Sequence, residues 1–395
     1  MKKVILLICI FVTFFLSFYS YSSSEPPVTA LVPNKYPNIQ AAINDANNGD
    51  IITVAPGIYT GEGNVDIDFK GKRITLKSVN GPQTCIIDCN GTQEEEHRGF
   101  ELHKHEDSNS VIQGFTVRNG YAQYGGGILC ASSKPLIRDC IITKNTAYRG
   151  AGICGDPYLK NCIISNNAAS DIGGGLLGRG GLWGDLLSIS NCIITGNKAK
   201  QGAGIYFIGN NADFINCTIS GNKAIIWGGG IFFSNTLKIN IDNSIVYGNM
   251  APVGRALRMP VGGVGSVGSA PPRFYKVSYS IIGSEPNAVD GMRFIIIGQH
   301  LQEDPLFVNP GHWDHNGTLD DPNDDFWVDG DYHLKSQGGR WNQEENRWIK
   351  DSVKSPCIDI GDPKNPIGDE PQPNGNRINI GAYGGTLQAS LSKQE

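Results

Sequence analysis

Charged side chains are scarce in this sequence: Asp, Glu, Lys and Arg make up 18 % of the residues, against about 25 % in an average globular protein. Basic residues do not outnumber acidic ones, and the formal net charge is −5. A protein that binds nucleic acid needs a basic face for the phosphates, so we expect no nucleic-acid partner. Beyond the amino terminus no apolar run approaches the ~20 residues of a membrane-spanning helix.

The amino terminus has the pattern of an export signal. Lys2 and Lys3 precede an apolar run over residues 4–18, and a serine-rich stretch follows at residues 20–24. We therefore predict a signal peptide over residues 1–24 and export to the outside or the outer cell surface of a bacterium. An uncleaved anchor is the alternative, but the apolar run is short for a membrane span.

What the sequence has in plenty is glycine, with 51 residues, and a repeat that places those glycines. Each repeat has an anchor residue, an asparagine five residues later, and a small residue followed by an aliphatic one after that. The anchors are Gly114, Cys140, Cys162, Cys192, Cys217 and Ser244, and the asparagines are Asn119, Asn145, Asn167, Asn197, Asn222 and Asn249. A repeat of this length predicts a solenoid.

The repeat predicts an all-β, right-handed, single-stranded parallel β-helix. An anchor and the residue two places later, such as Cys140 and Ile142, alternate at period two and so point inward. Stacked in register, the asparagines form an amide ladder, and the cysteines form a column of buried free thiols. The residue after each anchor, such as Ile163, points outward. It is covered by a loop or the tail, or else it is a partner surface.

The combination Ile-x-x-Asn-x-Ala followed by Gly-Gly-Gly-Ile resembles the repeat of the chlamydial polymorphic outer membrane proteins. More broadly, residues 111–257 resemble secreted bacterial proteins of the pectin-lyase-like β-helix superfold. The first resemblance implies a surface adhesin, although nothing after Leu257 reads as the membrane barrel of that family. The second implies enzymes that cleave or de-esterify acidic polysaccharides.

The two ends differ from the repeat. Ile39, Ala42, Ile43 and Ala46 share one face of a short helix, which resembles the amino-terminal cap of pectin-esterase-like proteins. We predict this cap and irregular coils over residues 34–110, regular coils over 111–285, and a loop-rich tail over 286–395. The tail resembles that of large secreted bacterial β-helix proteins, and we expect it to cap the far end of the coils.

Candidate ligand-binding residues interrupt the repeat rather than form it. Aromatic residues and an arginine occupy the turn between the asparagine and glycine columns, and a long loop follows Leu176. Aromatic rings along a groove bind sugar faces, and arginine binds carboxylates; ordinary turn packing is the alternative. The candidates are Tyr121, Tyr124, Tyr148, Arg149, Arg179, Trp183, Asp185 and Trp227.

An acidic segment follows the coils, with oxygen-bearing side chains around a glycine. The spacing loosely resembles a calcium loop, and a solvated acidic loop is the alternative. The candidate Ca²⁺ ligands are Asp314, Asn316, Thr318, Asp320 and Asp321.

No catalytic constellation is visible in the sequence. A glycoside hydrolase needs two carboxylates about 5–9.5 Å apart, and a lyase needs a base with a cation for the uronate. We therefore expect a noncatalytic glycan- or surface-binding protein of the adhesion type. The alternative is a polysaccharide lyase or glycoside hydrolase acting on acidic polysaccharide.

Overall fold

A computed structural model describes residues 29–180, 186–259, 274–283, 287–290, 295–318 and 324–393. The described chain winds into stacked coils whose strands pair in parallel with those of the next coil, which confirms the parallel β-helix. A complete coil has four short strands, and each strand position forms a column along the axis. The signal-peptide prediction and the candidates Trp183, Asp185, Asp320 and Asp321 lie outside the described residues.

Columns 1 and 2 together form one large sheet. Column 1 contains Thr29–Val32, Ile51–Val54, Thr75–Ser78, Val111–Gln113, Leu136–Arg138, Tyr158–Lys160, Leu186–Ser190, Asn211–Ile215, Lys238–Asp242, Phe274–Ile282 and Ile295–Leu301. Column 2 contains Gly57–Tyr59, Cys85–Asp88, Thr116–Arg118, Ile141–Thr143, Ile163–Ser165, Ile193–Thr195, Thr218–Ser220 and Ile245–Tyr247. The end of strand Phe274–Ile282 also belongs to column 2, since Ile281 and Ile282 pair with Ile245 and Val246.

Columns 3 and 4 form the other two sheets of the coil. Column 3 contains Tyr121–Tyr124, Thr146–Arg149, Ala168–Ile172, Lys198–Gln201 and Lys223–Trp227. Column 4 contains Phe100–Leu102, Ile128–Cys130, Ile153–Gly155, Leu176–Gly178, Ile205–Ile208, Ile231–Ser234, Leu257–Arg258 and Val289–Asp290.

The core consists of one inward residue from most strands of each coil, stacked on its equivalent in the next coil. In one coil Ile137, Cys140, Ile142 and Ile153 are all at most 1 % exposed. Column 3 contributes alanines instead, among them Ala147 and its equivalents in the coils above. A single coil cannot bury such a face, so the stacking stabilises the fold.

The cysteines of the described residues are buried free thiols. The thiols of Cys140, Cys162, Cys192 and Cys217 each donate to the carbonyl two residues earlier, at 3.1–3.4 Å. Ser244 continues the column, since its hydroxyl accepts from the Cys217 amide at 3.0 Å. Burial raises the pKa of Cys217 to about 12, which keeps the thiol protonated and unreactive.

The amide ladder has five members in the described coils: Asn145, Asn167, Asn197, Asn222 and Asn249, all at most 2 % exposed. Each side-chain oxygen accepts from the backbone and side-chain amides of the asparagine one coil earlier, as Asn197 does from Asn167 at 3.0 Å. In Asn145, the first member, this oxygen instead accepts from the Gly120 backbone amide at 2.9 Å. The ladder therefore satisfies polar groups that burial would otherwise leave unpaired.

One predicted ladder member was wrong. Thr116 pairs with Ile141, so Phe115 rather than Gly114 is the anchor of its coil, and Asn119 falls one place before the ladder. Asn119 instead has a left-handed backbone, φ 57°, and donates to Asp88 at 2.8 Å. The position tolerates Asn for its backbone, which explains why sequence alignment shifted it by one residue.

The helix Ile39–Asp45 lies at the amino-terminal end, where the Asn38 side chain accepts from the Ala41 amide at 2.8 Å. Ile39, Ala42 and Ile43 are fully buried and join the apolar core of the coils. The cap prediction is thereby confirmed. No helix among the described residues has the length and apolar character to cross a membrane.

The described part of the tail forms three antiparallel strand pairs and lies along the side of the coils. Phe307–Asn309 pairs with Asp331–Leu334, and this pair encloses the pair of His312–Asp314 with Phe326–Val328; Arg340–Asn342 and Arg347–Ile349 form a hairpin. Tail residues such as Phe307, Tyr332 and Ile380 pack on the outward residues of column 2, which include Ile193, Ile245 and Ile281. We call this outward side of column 2 the flank.

The tail was expected at the far end, and the described residues instead place it against the flank. The tail packs there because burying each outward isoleucine stabilises the fold by about 1.5–3 kcal/mol. Polar groups fix its register: Asn191 and Asn216 donate to the Gly384 carbonyl at 2.8 and 2.9 Å, and Asn243 accepts from the Asp362 amide at 2.7 Å.

Candidate functional site

A concave corner runs along the axis where column 3 turns into column 4. Gly150, Gly173 and Gly202 make this turn with φ between 58° and 69°. A Cβ on Gly202 would lie 2.7 Å from the Tyr206 Cβ, so a side chain cannot fit there. The tight turn brings the last residue of column 3 beside the outward residue of column 4.

Two rows of side chains line this corner, and we call the whole the corner groove. The column 3 row is Tyr124, Arg149, Ile172, Gln201 and Trp227. The column 4 row is Leu129, Cys154, Leu177, Tyr206, Phe232 and Arg258. Ile172, Cys154 and Leu177 are at most 8 % exposed although they point away from the core, which shows how concave the corner is.

The carboxy-terminal half of the corner groove is aromatic. Tyr206 and Phe232 stack with ring centroids 4.6 Å apart and planes inclined by 9°. Trp227 lies 6.5 Å from Phe232 at 26°, and is 38 % exposed. The Arg258 guanidinium lies over the Trp227 ring at 5.7 Å. We call these three stacked rings the platform, in which Phe232 is 3 % exposed and Trp227 is the exposed member.

Two arginines of the groove form ion pairs with aspartates, and a third arginine packs on a tyrosine ring. Arg149 Nε donates to Asp171 at 2.6 Å, and this bond raises the pKa of Arg149. Arg258 pairs with Asp290. The Arg179 guanidinium lies 5.3 Å from the Tyr124 ring centroid. Arg149, predicted as a carboxylate ligand, is therefore already engaged by a carboxylate of the chain.

At its amino-terminal end the groove opens into a hollow of about 800 Å³, lined by Tyr124, Cys154, Asp156 and Arg179. Glu106 forms part of its wall and is 2 % exposed. Burial would raise the pKa of Glu106. The hydrogen bond from the Ser133 hydroxyl and the bonds from backbone amides outweigh it, so that the pKa is lowered.

The predicted residues fall into two groups in the structure. Tyr124, Arg149 and Trp227 lie in one row of the groove, with Arg179 beside them. Tyr121 begins its strand, where its backbone pairs with His97. Tyr148 is 44 % exposed on the outward face of column 3, under the Arg149 guanidinium at 5.0 Å.

Sequence reasoning missed Tyr206, Phe232 and Arg258. Each follows the inward aliphatic residue of column 4 directly, as in Gly204-Ile205-Tyr206. The alternation of a strand places such a residue outward, so a signal was present.

The described part of the acidic segment forms a turn. The Asp314 carboxylate accepts from the Asn316 amide at 2.8 Å, and the Thr318 amide donates to the His315 carbonyl at 2.7 Å. The Thr318 hydroxyl donates to Asp324 at 2.5 Å. Within the described ranges no three His, Cys, Asp or Glu residues are grouped as metal ligands. Calcium binding stays a prediction, since Asp320 and Asp321 lie outside the described residues.

The comparison with known families concerns the tail. A family described as "Disaggregatase related" matches residues 318–361. This segment includes strands Phe326–Val328, Asp331–Leu334 and the hairpin Arg340–Asn342/Arg347–Ile349, and it leaves the coils unmatched. No curated protein matches this chain.

Proposed function

We propose that the protein binds an extended, uncharged polysaccharide along the corner groove. The observation that carries the proposal is the Trp227 ring, which is 38 % exposed beside the stacked rings of Tyr206 and Phe232. Sugar rings present C–H faces that pack on aromatic rings, while their hydroxyls remain at the polar rim. Tyr206 lies one coil before Trp227 and Phe232, so a chain along the axis would meet aromatic rings in two successive coils, ~4.8 Å apart.

The charge balance of the groove favours an uncharged ligand over an acidic one. Asp171 neutralises Arg149, and Asp290 neutralises Arg258. At Arg149 and at Arg258 a uronate carboxylate would have to displace an existing partner, and it would leave that aspartate unpaired. Hydroxyl groups can instead bond to both members of an ion pair, since they donate and accept.

Binding is favoured over cleavage at this groove because its acids already have partners. Asp171 holds Arg149, and Asp156 accepts from the Arg179 amide at 2.8 Å. A glycoside hydrolase needs one carboxyl as an acid and a second as a base or nucleophile. Among the described groove residues the carboxylates bind arginine side chains and backbone amides.

The second candidate is a polysaccharide-degrading lyase or hydrolase that acts on acidic polysaccharide. The match described as "Disaggregatase related" favours it, since that name denotes an activity. We place either function outside the cell or on the outer surface of a bacterium. The pattern of residues 1–24 and the pectin-lyase-like and outer-membrane-protein-like repeats support this location.

Native affinity electrophoresis separates the two candidates. Gels are cast with soluble β-glucan or galactomannan as uncharged polymers, and with polygalacturonate or alginate as charged ones. We expect an uncharged polymer to retard the protein, with no new reducing ends and no unsaturated products after incubation. Retardation by the charged polymers alone, or turnover of either, would contradict the proposal.

A further inference from the structure

A second cleft lies where the tail meets the corner between columns 2 and 3. It has a volume of about 560 Å³, and its wall includes Lys223, Met250, Trp313, His315 and Lys335. Strand Lys223–Trp227 joins it to the corner groove, since Lys223 begins that strand in the cleft and Trp227 ends it in the groove. At ~3.3 Å per residue the two ends are about 13 Å apart.

Two tryptophans form a rigid floor in this cleft. Trp313 Nε1 donates to the Gly221 carbonyl at 2.9 Å, and the ring meets Trp327 edge-on, with centroids 5.5 Å apart. Trp327 in turn lies on Gly196 and Gly221, where an added Cβ would come within 2.1 Å of the ring. The partly exposed Trp313 is thus held in place before any ligand arrives.

The polar groups of the cleft are balanced in charge, as they are in the groove. Asp325, whose side chain is 2 % exposed, pairs with Lys223 at 2.5 Å and with His315 Nδ1 at 2.9 Å. Asp304 and Lys335 add one acid and one base to the wall. Such a wall offers both donors and acceptors to hydroxyls and no net charge to a carboxylate.

Between the two sites the surface of column 3 is apolar and open. Ile225 is 61 % exposed, Ile226 is 37 % exposed, and the adjacent Met250 is 41 % exposed. Exposed apolar side chains that are contiguous with a binding surface mark a contact area. Here they connect the aromatic platform of the groove to the tryptophan floor of the cleft.

We propose that the cleft is a second saccharide subsite, so that one uncharged chain starts in the corner groove at Trp227, runs along strand Lys223–Trp227 and ends on Trp313. This inference rests on the proposed function and adds the path and the end point of the ligand. The two linked contacts make binding of a long chain tighter than that of a short one, because the second contact forms intramolecularly.

The test is a calorimetric titration with cello-oligosaccharides and with N-acetylglucosamine oligomers of increasing length. In the wild type we expect affinity to rise by about tenfold or more once the oligomer reaches both sites. Trp313→Ala should abolish this gain and leave the affinity of short oligomers unchanged. Trp348→Ala, which alters a 37 % exposed tryptophan in another hairpin, serves as the matched control.

A second variant guards against loss of folding, since Ile225→Asp alters an exposed side chain on the path and should also abolish the gain. If short oligomers bind but affinity does not rise with length, or if the gain survives in both variants, the subsite is overturned while the groove stands. If neither series binds the wild type at any length while an uncharged polymer retards it, the subsite is overturned; if no uncharged polymer retards it, the proposed function fails and the subsite fails with it.

Discussion

The flank and the corner groove are two sides of the same coils, yet one is covered and the other is open. On the flank, outward isoleucines such as Ile245 and Ile281 are fully buried under the tail. In the groove, Trp227 at 38 % and the neighbouring Ile225 at 61 % stay exposed. The same coils form both sides. The outward side chains of each column therefore decide whether that side packs against the tail or is open to a ligand.

The largest loss of stability is expected for a substitution in the core, which supports the flank and the groove alike. Asn197 bonds to Asn167, Asn222 and the Ile164 carbonyl from within the core. Asn197→Ala leaves several buried partners unpaired, at about 1–3 kcal/mol each, so we expect the free energy of unfolding to fall by about 4 kcal/mol or more. Denaturant titration measures this, with the exposed Lys200→Ala as control. A loss similar to that of the control would contradict the ladder's role.

The next change addresses the flank together with the tryptophan floor of the cleft. Trp327, 6 % exposed, packs the tail onto Gly196 and Gly221. Trp327→Ala should reduce the free energy of unfolding by about 3–5 kcal/mol, and it should expose the flank to protease and to hydrophobic dyes. Binding of short uncharged oligomers in the groove, measured by calorimetry, should not change. Should the variant keep its tail protected, the packing account of the flank is wrong.

Two buried glutamates, one in the tail and one beside the groove, should make stability depend on pH in opposite directions. Burial raises the pKa of Glu370, in the tail, to about 7, while the pKa of Glu106, beside the groove, is lowered. For Glu370 the folded state favours the protonated form, so its contribution to stability falls as pH rises from about 4.5 to about 7. For Glu106 the sign is opposite, and its contribution is lost as pH falls below about 4.5.

Glu370→Gln should therefore stabilise the protein above pH 7 by up to ~3 kcal/mol and leave it unchanged near pH 4. Glu106→Gln is the matched variant, and it should destabilise the protein at pH 7 because the hydrogen bonds from the Ser133 hydroxyl and from the Gly71 and Lys104 amides are weakened. Unfolding curves at several pH values test both. Parallel pH profiles for the two variants would refute the assignment.

The smallest effect on stability is expected in the groove. The Arg149–Asp171 pair is partly exposed, and such pairs contribute about 0–1 kcal/mol. Asp171→Asn should leave stability nearly unchanged and release Arg149 for a ligand carboxylate. The variant should gain retardation in polygalacturonate gels, whereas Asp213→Asn, in column 1, should not. If the variant kept the wild-type preference for uncharged polymers, Asp171 would not be what excludes acidic ligands.

The interior of the fold was predictable from sequence, and its outer surfaces were less so. The inward thiols and the ladder from Asn145 to Asn249 follow from short-range periodicity, which one coil already reveals. Asn119 was misplaced because Asn suits both the ladder and the left-handed turn beside it. Lys223 and Asp325 are about a hundred residues apart in the sequence. No local pattern indicates that the tail folds back on the coils and brings these two residues into contact. The outward isoleucines of the flank predicted a covering loop or tail, but no local pattern showed which segment of the tail packs on each of them.

The central claim is that the open side binds polysaccharide through its aromatic platform. The most direct test compares Trp227→Ala with the control Trp348→Ala in gels of the uncharged polymer that retards the wild type. We predict that Trp227→Ala weakens retardation by about tenfold or more, equivalent to ~1.4 kcal/mol, with an unfolding midpoint close to that of the wild type. Equal retardation of both variants would contradict the account.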